Sequence, residues 1–145
     1  MGNHWLITLL MLSFGLLSMM QSPASQPKPL ETTLAEKKDK RRILLFFGSA
    51  TSEPSLVAQQ EMLSKVKNDL SERDLDVVVV TAPNVSEDDQ QFLRIKFKMK
   101  PTATFVGWLI GKDGGVKQTY QKPIPPAELF RLIDSMPMRK LEMKN

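Results

Sequence analysis

The chain has 145 residues, 20 Lys and Arg against 16 Asp and Glu (formal net charge +4), one His, no Cys and 41% apolar residues. That length and composition fit one globular domain and exclude both a wholly disordered chain and a multi-span membrane protein. Without any thiol, and with no imidazole beyond His4, the chain has no disulfide, Cys or His zinc site, thiolate nucleophile, dithiol redox pair or Ser–His dyad in its body.

Trp5 to Met20 is a continuous apolar run interrupted only by Thr, Ser and Gly. It is short for a membrane span, which takes about 20 residues. Ser22-Pro23-Ala24 follows at the position of a secretory cleavage site, so residues 1–24 are expected to be a signal peptide. The expected setting is therefore periplasmic or extracellular, with a membrane contact only if the segment stays uncleaved. Ser25 to Lys40 is rich in Pro, Lys, Glu and Thr with no large apolar face, and is expected to be a disordered linker.

From Arg41 the pattern alternates strand and helix. Ile43 to Phe47 is an apolar run of strand length suited to burial on both faces, and Gly48 ends it. Thr51-Ser52-Glu53-Pro54 signals a helix start, with a capping hydroxyl and Pro in the first turn. Leu56, Val57, Leu63, Val66 and Leu70 then recur at helical spacing as far as Ser71. Leu75 to Val80 is a β-branched second strand. Ser86-Glu87-Asp88-Asp89 resembles a capping box with acids in a first helical turn, where the dipole favours them.

Thr104 to Ile110 and Val116 to Tyr120 flank Gly111-Lys112-Asp113-Gly114-Gly115, a hairpin signal with Val116 expected in the core. Pro125-Pro126 opens a last helix, and Pro137 ends or bends it. The order β-α-β-α-β-β-α, with the first two strands parallel and the last two antiparallel, predicts an α/β three-layer sandwich with a mixed sheet flanked by helices.

One arrangement with that order is the thioredoxin fold. Lys100-Pro101-Thr102 before an apolar strand, a Lys-Asp-Gly turn, a second strand and a terminal helix resembles the second half of thioredoxins, in which this Pro is cis and faces the active site. Aligned without gaps, Thr51 and Pro54 stand where the two redox cysteines would be. At family level the chain resembles a thioredoxin-like domain of unknown function shared by short bacterial exported proteins and animal extracellular-matrix proteins of the sushi-repeat and URB/DRO type. The residues that carry this are Arg41-Arg42-Ile43-Leu44, Gln59-Gln60 with Leu63, Arg73-Asp74, the Leu109 to Gly114 segment with Val116-Lys117, and Leu132 to Met136 with Arg139 and Glu142-Met143. The resemblance implies a thioredoxin-like fold over residues 41–145 and a secreted setting, with no established activity.

No catalytic set, metal site or cofactor motif emerges. The expected binding face comprises Ser49, Thr51 and Ser52 before the first long helix together with Lys100, Pro101 and Thr102, with Lys98 adding charge; such a surface suits an extended peptide or a small anion. Lys112, Asp113, Lys117, Asp134, Arg139 and Glu142 form a charged set around the turn and the last helix, read as ion pairs that orient the tail. The leading expectation is a non-catalytic exported interaction module with a protein or peptide partner. The alternatives are a salt-sensitive binder of an anionic polymer, through Lys37 to Arg42, Lys96, Lys98, Lys100 and Arg139-Lys140, and a carboxylate enzyme using Asp74, Asp113 or Asp134. A nucleic-acid partner does not suit an exported chain with few aromatics.

Overall fold

The computed structural model describes residues 27–145, so the expected signal peptide lies outside the described residues. The elements in chain order are α1 (Leu30–Lys37), β1 (Arg42–Gly48), α2 (Pro54–Ser64), α3 (Lys67–Glu72), β2 (Leu75–Thr81), α4 (Glu87–Lys96), β3 (Phe105–Ile110), β4 (Val116–Tyr120), α5 (Pro126–Asp134) and α6 (Pro137–Glu142). The sheet order is β2-β1-β3-β4. β1 runs parallel to β2 and antiparallel to β3, and β3 and β4 form the antiparallel hairpin. This is the α/β sandwich of the thioredoxin-like fold.

β1 is central and every one of its residues is buried, as its unbroken apolar run requires. Alternate side chains feed two cores. Leu44 and Phe46 join Leu56, Leu63, Phe105, Leu109, Leu129 and Ile133 on the face covered by α2 and α5. Ile43, Leu45 and Phe47 join Leu30, Leu93, Val106 and Trp108 on the face covered by α1 and α4. Each fully buried Leu, Ile or Phe contributes about 1.5–3 kcal/mol, so the two faces of one strand organise the domain.

The segment expected to be a disordered linker is corrected in part, because α1 occupies residues 30–37. Leu30 is buried in the second core with Leu34 packed against it, the Leu30 N–H donates to Asp89 Oδ1 of α4 (2.9 Å), and Lys37 pairs with Asp76. Two leucines and two long-range polar contacts replace the broad apolar face that an isolated helix would need. The helix start expected at Thr51 is also corrected: Glu53 is the N-cap of α2, its carboxylate accepting from the Ser55 N–H. The single helix expected up to Ser71 breaks at Lys65-Val66 into α2 and α3.

Val116, expected in the core, is 45% exposed, because β4 is an edge strand and its pairing with β3 slips between Leu109 and Ile110. Ser86 caps α4 as expected, accepting from the Asp89 N–H at 3.1 Å. Among the described residues no helix is long and apolar enough to cross a membrane.

Candidate functional site

β1 is seven residues long, so its two ends lie about 20 Å apart, and the candidate residues divide between them. At its C-terminal end, Gly48 leads into Ser49, whose N–H donates to the Thr104 carbonyl at 2.8 Å. This bond sets the Ser49–Glu53 segment beside the Lys98–Thr104 loop. A side chain at Gly48 would push the buried Leu56 aside, because a Cβ would stand 2.7 Å from Leu56 Cδ2. Thr51, Ser52, Lys100, Pro101 and Thr102 are exposed and Ser49 is half-buried.

The two loops differ in what they offer a ligand. Glu53 fills the N-terminus of α2: Oε1 accepts from the Ser55 N–H and Oε2 from the Ser49 hydroxyl at 3.5 Å. A carboxylate in that position takes one of the helix-end donors and opposes an incoming anion by its charge. The Lys98–Thr104 loop carries no acid. The corresponding Pro of thioredoxins is cis; here the Lys100–Pro101 bond is trans. Pro101 occupies the second position of a turn closed by the Ala103 N–H on the Lys100 carbonyl (3.0 Å), a position for which its fixed φ is suited.

At the N-terminal end of β1 the charged set assembles into a chain of ion pairs. Arg42, 1% exposed, donates through both terminal nitrogens to Glu142, at 3.1 and 3.2 Å, and also to the Arg73 carbonyl at 2.9 Å. Lys112 bridges Glu142 (2.6 Å) and Asp74 (2.9 Å), and Asp74 in turn meets Arg41 at 3.1 Å. Asp134 accepts from Arg73 at 2.8 and 3.0 Å and from Arg139 at 3.2 Å, and Arg139 reaches the Glu72 carboxylate at 2.7 Å. Arg73 also stacks over Phe130, 4.4 Å from the ring centroid.

Electrostatics follow from these contacts. The Arg73 hydrogen bond holds the Asp134 carboxyl below its ordinary range against the opposing effect of burial, with Arg139 assisting. Burial alone would raise Glu142, but its bonds from Arg42 and Lys112 prevail and lower it. Burial would likewise depress Lys112, and its bonds to Asp74 and Glu142 prevail to raise it. Acids held in this way do not deliver protons near neutrality.

Of the charged set, Lys112, Asp134, Arg139 and Glu142 belong to this network. Asp113 and Lys117 do not; they pair with each other across the hairpin at 2.7 Å, while Asp113 also accepts from the Gly115 N–H at 2.9 Å. Gln59, another residue that carried the family resemblance, is fully buried and pairs both ways with the Ile124 backbone, at 3.1 and 2.7 Å, tying α2 to the segment before α5. Sequence reasoning placed Trp108 only in a strand, yet its indole N–H is buried with no partner among the described residues. The available signal was the residue type, since a buried indole N–H ordinarily needs an acceptor.

Fold and site together define a thioredoxin-like domain without redox thiols. The chain belongs to the family of the domain of unknown function DUF4174, whose profile matches residues 33–142. A comparison with curated proteins finds no match. Among solved structures it is similar to the reduced 2-Cys peroxiredoxin of Plasmodium vivax (TM-score 0.57, 14% identity, covering 74% of this chain and 72% of that one). A DsbF homologue from Corynebacterium diphtheriae aligns at TM-score 0.53 and 15% identity, over 71% of this chain and 76% of that one. The mitochondrial 2-Cys peroxiredoxin from Plasmodium falciparum aligns at TM-score 0.53 and 14% identity, over 70% and 79%. At these identities the likeness is one of fold alone.

Proposed function

We propose that the protein is an exported, non-catalytic interaction module that binds a protein or peptide partner at the β1–α2 end of a thioredoxin-like domain. The observation that carries this is the chemistry of that junction. Thr51 and Pro54 occupy the segment, no thiol exists in the chain, and Glu53 closes the α2 N-terminus. No thiolate nucleophile remains, and Glu53 sets a negative charge at the helix end, while exposed hydroxyls and two lysines stay available for contacts.

The carboxylate-enzyme reading loses its candidates to ion pairs. Asp74 and Asp134 each hold cations, and Asp113 is tied to Lys117. The polyanion reading loses Arg42 and Arg139, which are buried in the network, and Lys37 and Arg41, which pair with Asp76.

The test is capture of envelope and extracellular proteins by the chain beginning at Ser25, with washes at low and high salt. A discrete protein that survives high salt and is lost in Thr51→Asp and Lys100→Glu supports the reading. Capture of anionic polymer that disappears as salt rises, or a partner indifferent to both substitutions, overturns it. Mass determination of the native protein checks export: an N-terminus at Met1 in a cytoplasmic fraction contradicts it.

A further inference from the structure

Beneath the Lys98–Thr104 loop lies a cavity of about 280 Å³, between the C-terminus of α4 and strands β3 and β4. Its size falls just short of the pockets, about 300–1,000 Å³, that take drug-sized molecules. Its polar lining is of one kind: Lys98 and Lys100 bring charge, Thr102 and Thr119 hydroxyls and Gln121 an amide, and no carboxylate lines it. Neither lysine belongs to any of the ion pairs among the described residues.

Two further observations converge on the same cavity. Trp108, 1% exposed, forms part of its wall, and the indole Nε1–H is buried without an acceptor among the described residues. That nitrogen has almost no accessible surface of its own, so the indole senses the cavity's occupant from behind its lining. Lys98 adopts a left-handed backbone, φ 57°, immediately beyond α4, where the Phe97 and Met99 N–H groups both close on the Leu93 carbonyl. Glycine is the usual residue at that helix-ending position. A lysine there accepts backbone strain and is part of the cavity lining, the pattern of strain kept at binding sites.

We propose that this cavity binds a small oxyanion: a molecule bearing a carboxylate, sulfate or phosphate group, with Lys98 and Lys100 supplying the charge and the Thr102 and Thr119 hydroxyls and the Gln121 amide donating to its oxygens. The site is built from the loop and the sheet and shares Lys100 and Thr102 with the partner face proposed above, but the anion titration is read without any partner present.

The test follows the indole N–H resonance of Trp108 in the 15N-labelled full chain, assigned by its absence in Trp108→Phe. Sodium sulfate, phosphate and glucuronate are titrated at ionic strength held constant with chloride, with glucose as the uncharged counterpart of glucuronate. A saturable shift in at least one oxyanion arm, weakened about tenfold or more in Lys98→Gln/Lys100→Gln, is the expected result. Response to the tetrahedral anions alone assigns a sulfate or phosphate ligand, and response to glucuronate alone a carboxylate. No saturable shift in any oxyanion arm, an equal shift with glucose, or undiminished binding in the double lysine variant overturns the proposal. Both lysines are exposed, so the double variant leaves both cores untouched.

Discussion

Arg42 and Glu142 stand 100 positions apart in the chain and meet in a two-pronged ion pair that fastens the C-terminal helix to the start of the central strand. The Arg42 side chain is 2% exposed and that of Glu142 26%, so the two halves of the pair are unequal. Glu142→Ala leaves Arg42 buried with only the Arg73 carbonyl as a partner. Breaking a buried pair costs about 3–5 kcal/mol, and the partial exposure of Glu142 reduces this to about 2–3 kcal/mol. Urea unfolding of Glu142→Ala measures it. Arg42→Met/Glu142→Ala is expected to recover part of the loss, because an apolar chain of similar length has no charge to leave unpaired.

The same network sets the acid limit of stability. Asp76, Asp134 and Glu142 titrate below their ordinary values of 3.8, 3.8 and 4.5 when folded. The unfolded chain therefore binds more protons as the pH falls, and the contribution of these acids is complete above about pH 5. It is lost as pH falls through the lowered folded values. Thermal midpoints should be flat from pH 6 to 5 and fall steeply below about 4; Asp134→Asn should flatten that acid limb. A midpoint that rises on acidification contradicts the assignment.

Tyr120 gives an optical test at the other extreme. It is the only tyrosine, its hydroxyl is buried without a partner among the described residues, and burial, aided by Glu128, pushes its pKa up to about 12. Its raised value means stability is complete below its ordinary pKa of 10.0 and declines as pH rises toward 12. Phenolate absorbance should thus appear only near that pH, or together with unfolding. A midpoint near 10 in folded protein contradicts the burial of that hydroxyl.

Gln59 satisfies both backbone groups of Ile124 in a fully buried place. Gln59→Leu keeps the volume but orphans an N–H and a C=O, at about 1–3 kcal/mol for each group left unpaired. Unfolding free energy should fall by about 2–4 kcal/mol, and an unchanged value contradicts the role assigned to the amide.

Lys98→Gly separates stability from function. Glycine relieves the left-handed strain at φ 57°, and the folded state should gain up to about 1 kcal/mol. The anion response of Trp108 should weaken in the same variant. A loss of stability instead shows that the lysine side chain has a structural role there.

Much of the fold was legible in the sequence because it rests on local signals. The apolar run Ile43 to Phe47, the Asp-Gly hairpin and the Ser86 cap each state their structure within a few residues. What was hidden depends on distant contacts. Helix α1 is ordered by Asp89 and Asp76, which no periodicity in residues 30–37 announces. Val116 alternates correctly for a core position, but its strand lies at the sheet edge. The charged residues of the last helix were visible as a set, while their convergence on Arg42 and Arg73 required the topology. Trp108 was hidden for the opposite reason: its apolar neighbours read as core, and the unpaired N–H emerges only in three dimensions.

Under the proposed function the two ends of β1 do different work, stability at Arg42 and partner binding beyond Gly48. The most direct test places Glu142→Gln and Lys100→Glu in parallel through urea unfolding and partner capture. Glu142→Gln is expected to lower stability and, below its unfolding transition, to retain the partner, while Lys100→Glu is expected to keep wild-type stability and lose the partner. The crossed result, a folded Glu142→Gln that no longer binds beside a Lys100→Glu that still does, contradicts it.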